Sequence, residues 1–116
     1  MVRPYQREVA IVAWIMVIVA GLFETVFAVS LKLSDGFRHV GWTISFVLAA
    51  IVSFSLLTTA LRTLPVGSAY AVWVGIGAVG TAVIGMVWFA EPVAAARLVS
   101  IGLILAGVVG LQLTSR

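Results

Sequence analysis

Glu24 stands inside an apolar run from Trp14 to Leu31 that is otherwise interrupted only by Thr25 and Ser30. A carboxylate in hydrocarbon costs on the order of 3 kcal/mol or more unless it is protonated, paired or wet. The chemistry open to such a group is reversible binding of a proton or a cation. The alternative is a protonated Glu hydrogen-bonded across a helix interface. A helix repeats its face at three and four residues, so Val17, Gly21, Ala28 and Leu31 share the face of Glu24. Gly21 and Ala28 are small and leave room beside the carboxylate for a partner helix or a compact ligand.

Other residues carry chemistry in apolar surroundings. Tyr70 and Trp73 share a face with Gly77 and Gly80. Tyr donates and accepts hydrogen bonds, the Trp indole donates one N–H, and both rings attract cations. Both also lie near the start of an apolar run, where an interfacial aromatic belt is the competing reading. Trp14, Trp42 and Trp88 are read as belt residues. Ser53 is mid-run, and its hydroxyl either bonds back to its own helix or donates to Glu24. Gly75 and Gly77 give the third run a place to bend, or a surface for close helix packing. Ala106 and Gly110 form a small-xxx-small pair, with Gly107 beside it, which reads as a dimer seam.

The elements that must position these residues follow from composition. Of 116 residues, 63% are hydrophobic and 9% charged, against about 25% charged in soluble domains. Such a chain is solvated by lipid. No cysteine is present, which excludes disulfides and thiolate metal sites, and a single histidine excludes a His-rich cluster. The net charge of +3 is spread over isolated Arg and Lys residues that suit anionic headgroups; no basic patch points to nucleic acid. Met1 to Glu8 reads as a polar leader. The run from 9 to 31 exceeds the ~7–15 residues of a signal-peptide core and matches a bilayer span of about 20 residues. Further spans are read over about 41–61, 68–90 and 98–113. The breaks are Ser34-Asp35-Gly36, Arg62 to Gly67 with Pro65 at a helix entry, and Glu91-Pro92 closed by Arg97. Short connections make neighbours antiparallel. The expected fold is therefore an all-α membrane protein, a four-transmembrane-helix bundle forming one domain over 1–116.

Four spans place both termini on one side. That side holds Arg3, Arg7, Arg62 and Arg116, and the other holds Lys32, Arg38 and Arg97. Four against three gives the positive-inside rule little to choose by. A nearly balanced chain either has one weakly determined orientation or inserts both ways up. In the second case two inverted copies can act as inverted repeats do within one larger transporter. Glu24 lies past the middle of its span and Tyr70 near the start of its own, so an inverted partner would bring its Tyr70 towards this Glu24.

Two stretches carry a family resemblance. One runs Ala20-Gly21-Leu22-Phe23-Glu24 through Leu31-Lys32, the other from Leu64-Pro65-Val66-Gly67-Ser68-Ala69-Tyr70 through Trp73 and Gly75-Ile76-Gly77-Ala78-Val79-Gly80-Thr81. In order and spacing the chain resembles the small multidrug resistance family from about Ala13 to its end. Ser34-Asp35-Gly36-Phe37-Arg38 and the glycines after Val74 are similar to its guanidinium-exporter branch. The resemblance implies an antiparallel dual-topology dimer in the bacterial plasma (inner) membrane, with heterodimers known among relatives. It implies no cofactor, only the proton gradient, and exchange of protons for a small cation. Glu24 of both copies would form the shared site, with Gly21, Ser53, Tyr70 and Trp73 lining it. Phe27 joins this pocket where the branch commonly has Trp, so one N–H donor is lost. Val74 stands where the branch often has Thr, and the leader is longer than usual.

The chemistry follows. Two neighbouring carboxylates titrate as a coupled pair. A protonated pair suits an apolar site, whereas a deprotonated pair needs a cation. Guanidinium matches a carboxylate in bidentate fashion and stacks on aromatic rings. One alternative within transport is export of bulky or quaternary ammonium cations. Another, of a different class, is a non-transporting membrane subunit. No nucleophile–base pair or phosphate loop points to an enzyme.

Overall fold

The computed structural model describes residues 3–114, which leaves Arg116 of the charge tally outside the described residues. Four helices follow one another: α1 (Pro4–Leu33), α2 (Val40–Ala60), α3 (Val66–Trp88) and α4 (Ala95–Thr114). Each is long and apolar enough to cross a membrane. The chain is a multi-pass, all-α membrane protein.

The helices overrun the apolar runs at several ends. Pro4 occupies the first turn of α1, where its fixed φ helps and its missing N–H is not needed. Gln6 Oε1 accepts the Arg3 N–H at 2.9 Å. These local signals carry the helix through the polar residues from Pro4 to Glu8, read above as a leader. The 30 residues of α1 span about 45 Å, well beyond the ~30 Å of a hydrocarbon core. At α4 the helix starts at Ala95, so Arg97 lies in its first turn and not in the connection. Hydropathy marks the part of a helix that suits lipid, whereas capping and hydrogen bonding mark its ends.

α1 is the middle element. It packs against α2 on one side and α3 on the other, while α2 and α3 scarcely meet, and α4 packs on α3. The result measures 51 × 35 × 17 Å. It is a slab rather than the closed bundle that antiparallel neighbours alone would lead one to expect. The buried core lies towards the start of α1: Ala13, Trp14, Val17 and Ala20, with Leu57 and Ala60 from α2 and Ala69, Val72 and Trp73 from α3. Alanines at this crossing let the backbones approach closely. Towards the other end the interior is partly polar, where Ser30 Oγ and Ser45 Oγ share a hydrogen bond of 2.7 Å between α1 and α2. α4 contributes no buried residue among those described.

The connections are locally determined. After α1, Ser34 is fully buried. Its hydroxyl donates to Leu31 O at 2.7 Å and accepts the Phe37 N–H at 3.2 Å. Asp35, Gly36 and Phe37 all take left-handed conformations, with φ of 50°, 69° and 68°. Between α3 and α4, the Phe89 and Glu91 N–H groups both reach Gly85 O at 3.1 Å, Ala90 is left-handed at φ 51°, and Glu91 pairs with Arg97. A Cβ at Gly85 would lie 2.7 Å from Glu91 Cδ, so the absence of a side chain there makes room for the ion pair. Lys32 Nζ sits 5.2 Å from the Phe89 ring centroid and ties the end of α1 to the end of α3. Asp35 and Arg38 also pair, at 3.9 Å, in an exposed position where such pairs contribute little.

A contrast of two glycines tests this account. Gly36→Ala forces alanine into a left-handed turn and is expected to destabilise the protein by about 1–2 kcal/mol. Gly41→Ala lies in α2 with open space around it, and alanine there is expected to be neutral or stabilising by up to about 1 kcal/mol. Thermal unfolding in detergent reads both, and equal effects would contradict the turn geometry.

Candidate functional site

Glu24 projects from α1 towards α3. Its carboxyl occupies the space over Gly77, where any Cβ would collide with it. The side chain is half-buried, and Oε1 is buried with no hydrogen-bond partner among the described residues. A buried carboxyl oxygen without a partner is uncommon in native proteins. It leaves an acceptor open to a proton or to a ligand N–H.

Ser53 and Trp73 form the ordered part of the surroundings. Ser53 is fully buried and its hydroxyl donates to Ala20 O at 2.7 Å. The Trp73 indole N–H donates to Ser53 Oγ at 3.0 Å. Sequence reasoning weighed a bond from Ser53 back to its own helix against one to Glu24; the structure shows neither. Ser53 grips α1 at the carbonyl that the helical ladder pairs with the N–H of Glu24. One α2 hydroxyl thus links α3, through Trp73, to the turn of α1 that carries the acid. The relative register of α1 and α2 decides this choice, and spacing within one helix carries no record of it.

An aromatic chain lies alongside. Tyr70, itself half-exposed, approaches Trp73 with centroids 5.4 Å apart, and Trp73 meets Phe54 at 5.5 Å. Phe54 stacks on Phe27 at 5.9 Å with an interplanar angle of 29°. Phe27 meets Phe46 edge-on at 6.0 Å, and Phe46 meets Phe37 at 6.0 Å. Phe27 therefore belongs to the same wall as Tyr70 and Trp73, reached through Phe54. Sequence reasoning missed Phe46 and Phe54. Their one sequence signal is that both stand on α2, Phe54 next to Ser53.

The glycines divide by helix contact. A Cβ on Gly21 would lie 2.8 Å from Ile76 Cβ, so the space beside Gly21 is taken by α3. Gly77 seats Glu24, and Gly80 seats Thr25. A Cβ on Gly75 would lie 2.5 Å from Val108 Cγ2, so Gly75 serves the contact with α4. α3 is a continuous helix across all three of these glycines. Ala106, Gly107 and Gly110 are exposed on α4, with open space around both glycines.

Four helices long and apolar enough to span a membrane, with one buried carboxyl oxygen left open, define a multi-pass membrane protein with a candidate proton or cation site. Comparison with known proteins agrees. The family model described as "Small Multidrug Resistance protein" matches residues 12–104. Proteins named "Guanidinium exporter" from Citrobacter freundii and Salmonella thompson are each 50% identical to the chain over 103 residues, covering 89% of it and 98% of their own length. One of the same name from Yersinia pestis is 50% identical over 89% of the chain and 99% of its own length. The chain belongs to the small multidrug resistance family.

The Ser53–Trp73 link is testable as a coupled pair. Ser53→Ala removes a donor and an acceptor from a buried site and is expected to destabilise the protein by about 1–3 kcal/mol. In a double-mutant cycle with Trp73→Phe the coupling should reach about 0.5 kcal/mol or more. Denaturation in mixed micelles measures it, and a coupling of zero would contradict the bond.

Proposed function

We propose that the chain is a proton-coupled antiporter that exports guanidinium or small guanidinyl cations across the bacterial plasma membrane. The observation that carries this reading is the buried Glu24 oxygen with no hydrogen-bond partner among the described residues, on a helix that the aromatic wall joins through Phe27, three residues further along, and through Ser53 on Ala20 O. Guanidinium is planar, presents N–H groups in pairs to a carboxylate and stacks its face on aromatic rings. The relatives named guanidinium exporters supply the substrate class. Protons and guanidinium compete for the same carboxyl oxygens. Binding of one releases the other, and that competition couples their movement in opposite directions. Trp73, held by Ser53, orients the site, and Tyr70, with an exposed ring beside Trp73, contacts the arriving cation.

The working unit in this reading is an antiparallel homodimer. Two features support it. No described residue of α4 is fully buried within one chain, and Gly107 and Gly110 have open space around them. The basic residues are also nearly balanced between the two sides. Inverted copies would place two Glu24 carboxyls in one shared site, and bending of α3 at Gly75 or Gly77 in one copy would distinguish the two access states. The aromatic wall favours one second reading, export of bulky or quaternary ammonium cations, because ring faces attract cations that have no N–H to offer.

Solid-supported-membrane electrophysiology on the purified chain in liposomes tests the reading. Guanidinium jumps should give a saturable current that Glu24→Gln abolishes. The half-saturating concentration should rise as pH falls, because protons then occupy the acid. A current with quaternary ammonium and none with guanidinium would establish the second reading. A guanidinium current that survives in Glu24→Gln would overturn both.

A further inference from the structure

The face of α1 that carries Glu24 meets α3 at three adjoining seats. Gly21 receives Ile76, Gly77 receives the Glu24 carboxyl, and Gly80 receives the Thr25 side chain. Thr25 adds a polar contact: its hydroxyl donates to Gly77 O at 3.3 Å. Two consecutive residues of α1 thus converge on one glycine of α3. The acid lies on its bare face, and the hydroxyl binds its carbonyl.

Thr25, like Ser53, departs from the pattern of four other hydroxyl residues of the helices. Thr43, Thr59, Ser100 and Thr114 each donate to the carbonyl four residues back in their own helix, at 2.8–2.9 Å. That is the ordinary habit of a helical hydroxyl. The Thr25 hydroxyl crosses to the neighbouring helix instead. It adds a second hydrogen bond to a carbonyl that the helical ladder of α3 already uses, which the two lone pairs of the oxygen allow. Glu24 Oε1 makes no hydrogen bond of its own among the described residues. The contact that holds α3 at the level of the acid therefore comes from the next residue in the chain.

We propose that Thr25 is a positioning residue for the Glu24 cation site, its hydrogen bond to Gly77 O holding α3 in the register that pre-organises the carboxyl for guanidinium. This rests on the reading of Glu24 as the cation site. One hydrogen bond is strong enough to bias the register of two helices and weak enough to break when they slide past each other. A positioned carboxyl binds more tightly than one whose competent arrangement is only partly populated.

Two substitutions separate the hydroxyl from the bulk of the side chain. Thr25→Val keeps the shape against Gly80 and removes the donor, whereas Thr25→Ser keeps the donor and removes a methyl group. Transport by the full chain in liposomes is read together with the carbonyl ¹³C resonance of Gly77. Glycine-carbonyl and alanine-nitrogen labels single this carbonyl out, because Gly77-Ala78 is the one Gly-Ala pair in the sequence. Thr25→Val should raise the half-saturating guanidinium concentration roughly 2–10-fold, leave the maximal current within about twofold, and move the Gly77 resonance. Thr25→Ser should match the parent protein in all three. The reverse pattern, with Thr25→Ser impaired and Thr25→Val intact, would overturn the proposal in favour of packing against Gly80. So would a Thr25→Val protein unchanged in affinity and resonance. If the parent protein gives no guanidinium current, the reading of the site fails and the positioning role with it, while a moved resonance still establishes the hydrogen bond alone.

Discussion

A carboxyl group held in an apolar interior constrains the rest of this molecule. Glu24 needs space, and Gly77 supplies it by having no side chain. It needs an ordered neighbourhood, and the Ala20–Ser53–Trp73 hydrogen bonds supply that from three helices. It needs company that tolerates both charge states. Aromatic rings serve here, because their faces attract a cation without presenting a competing donor to the acid.

The slab-like arrangement has a consequence for how the site is completed. α1 lies between α2 and α3, and α4 packs mainly on α3. One chain therefore walls the acid on some sides and leaves the outer face of α4 bare. In lipid, small residues on a bare helix face favour another helix over acyl chains, because the backbones can approach closely. Gly75 holds α4 against α3 through Val108, so a partner docked on α4 is connected to the helix that seats Glu24. In the proposed antiparallel pair, movement at the α4 seam and movement at the acid belong to one chain of packed helices. At the other end, the Glu91–Arg97 pair fixes the α3–α4 connection and the Lys32–Phe89 contact ties α1 to α3.

Much of this was legible in the amino-acid sequence. Spans of the right length with small polar breaks left little choice but four membrane-crossing helices, and an acid inside one of them pointed at the site. The family followed from the stretches around Glu24 and from Leu64 to Thr81. Local periodicity was less informative wherever two helices had to be registered against each other. It left Ser53 with two partners, neither of them Ala20 O, and left Gly21 open to a partner helix or a ligand, where Ile76 of α3 packs. It passed over Thr25 altogether, because one hydroxyl beside an acid has no periodic signature. The helical state of the polar leader was not legible for another reason: polarity ends a membrane span, yet it does not end a helix that begins at Pro4 with a Gln6 side chain reaching back.

The central claim is that protons and guanidinium share Glu24. Proton release on binding tests it most directly. Purified protein in weakly buffered detergent solution is titrated with guanidinium chloride while free protons are followed with a pH indicator, with sodium chloride as the ionic control. The account predicts saturable proton release that coincides with guanidinium binding and disappears in Glu24→Gln. Saturable binding with no proton release, or release that persists in Glu24→Gln, would contradict it.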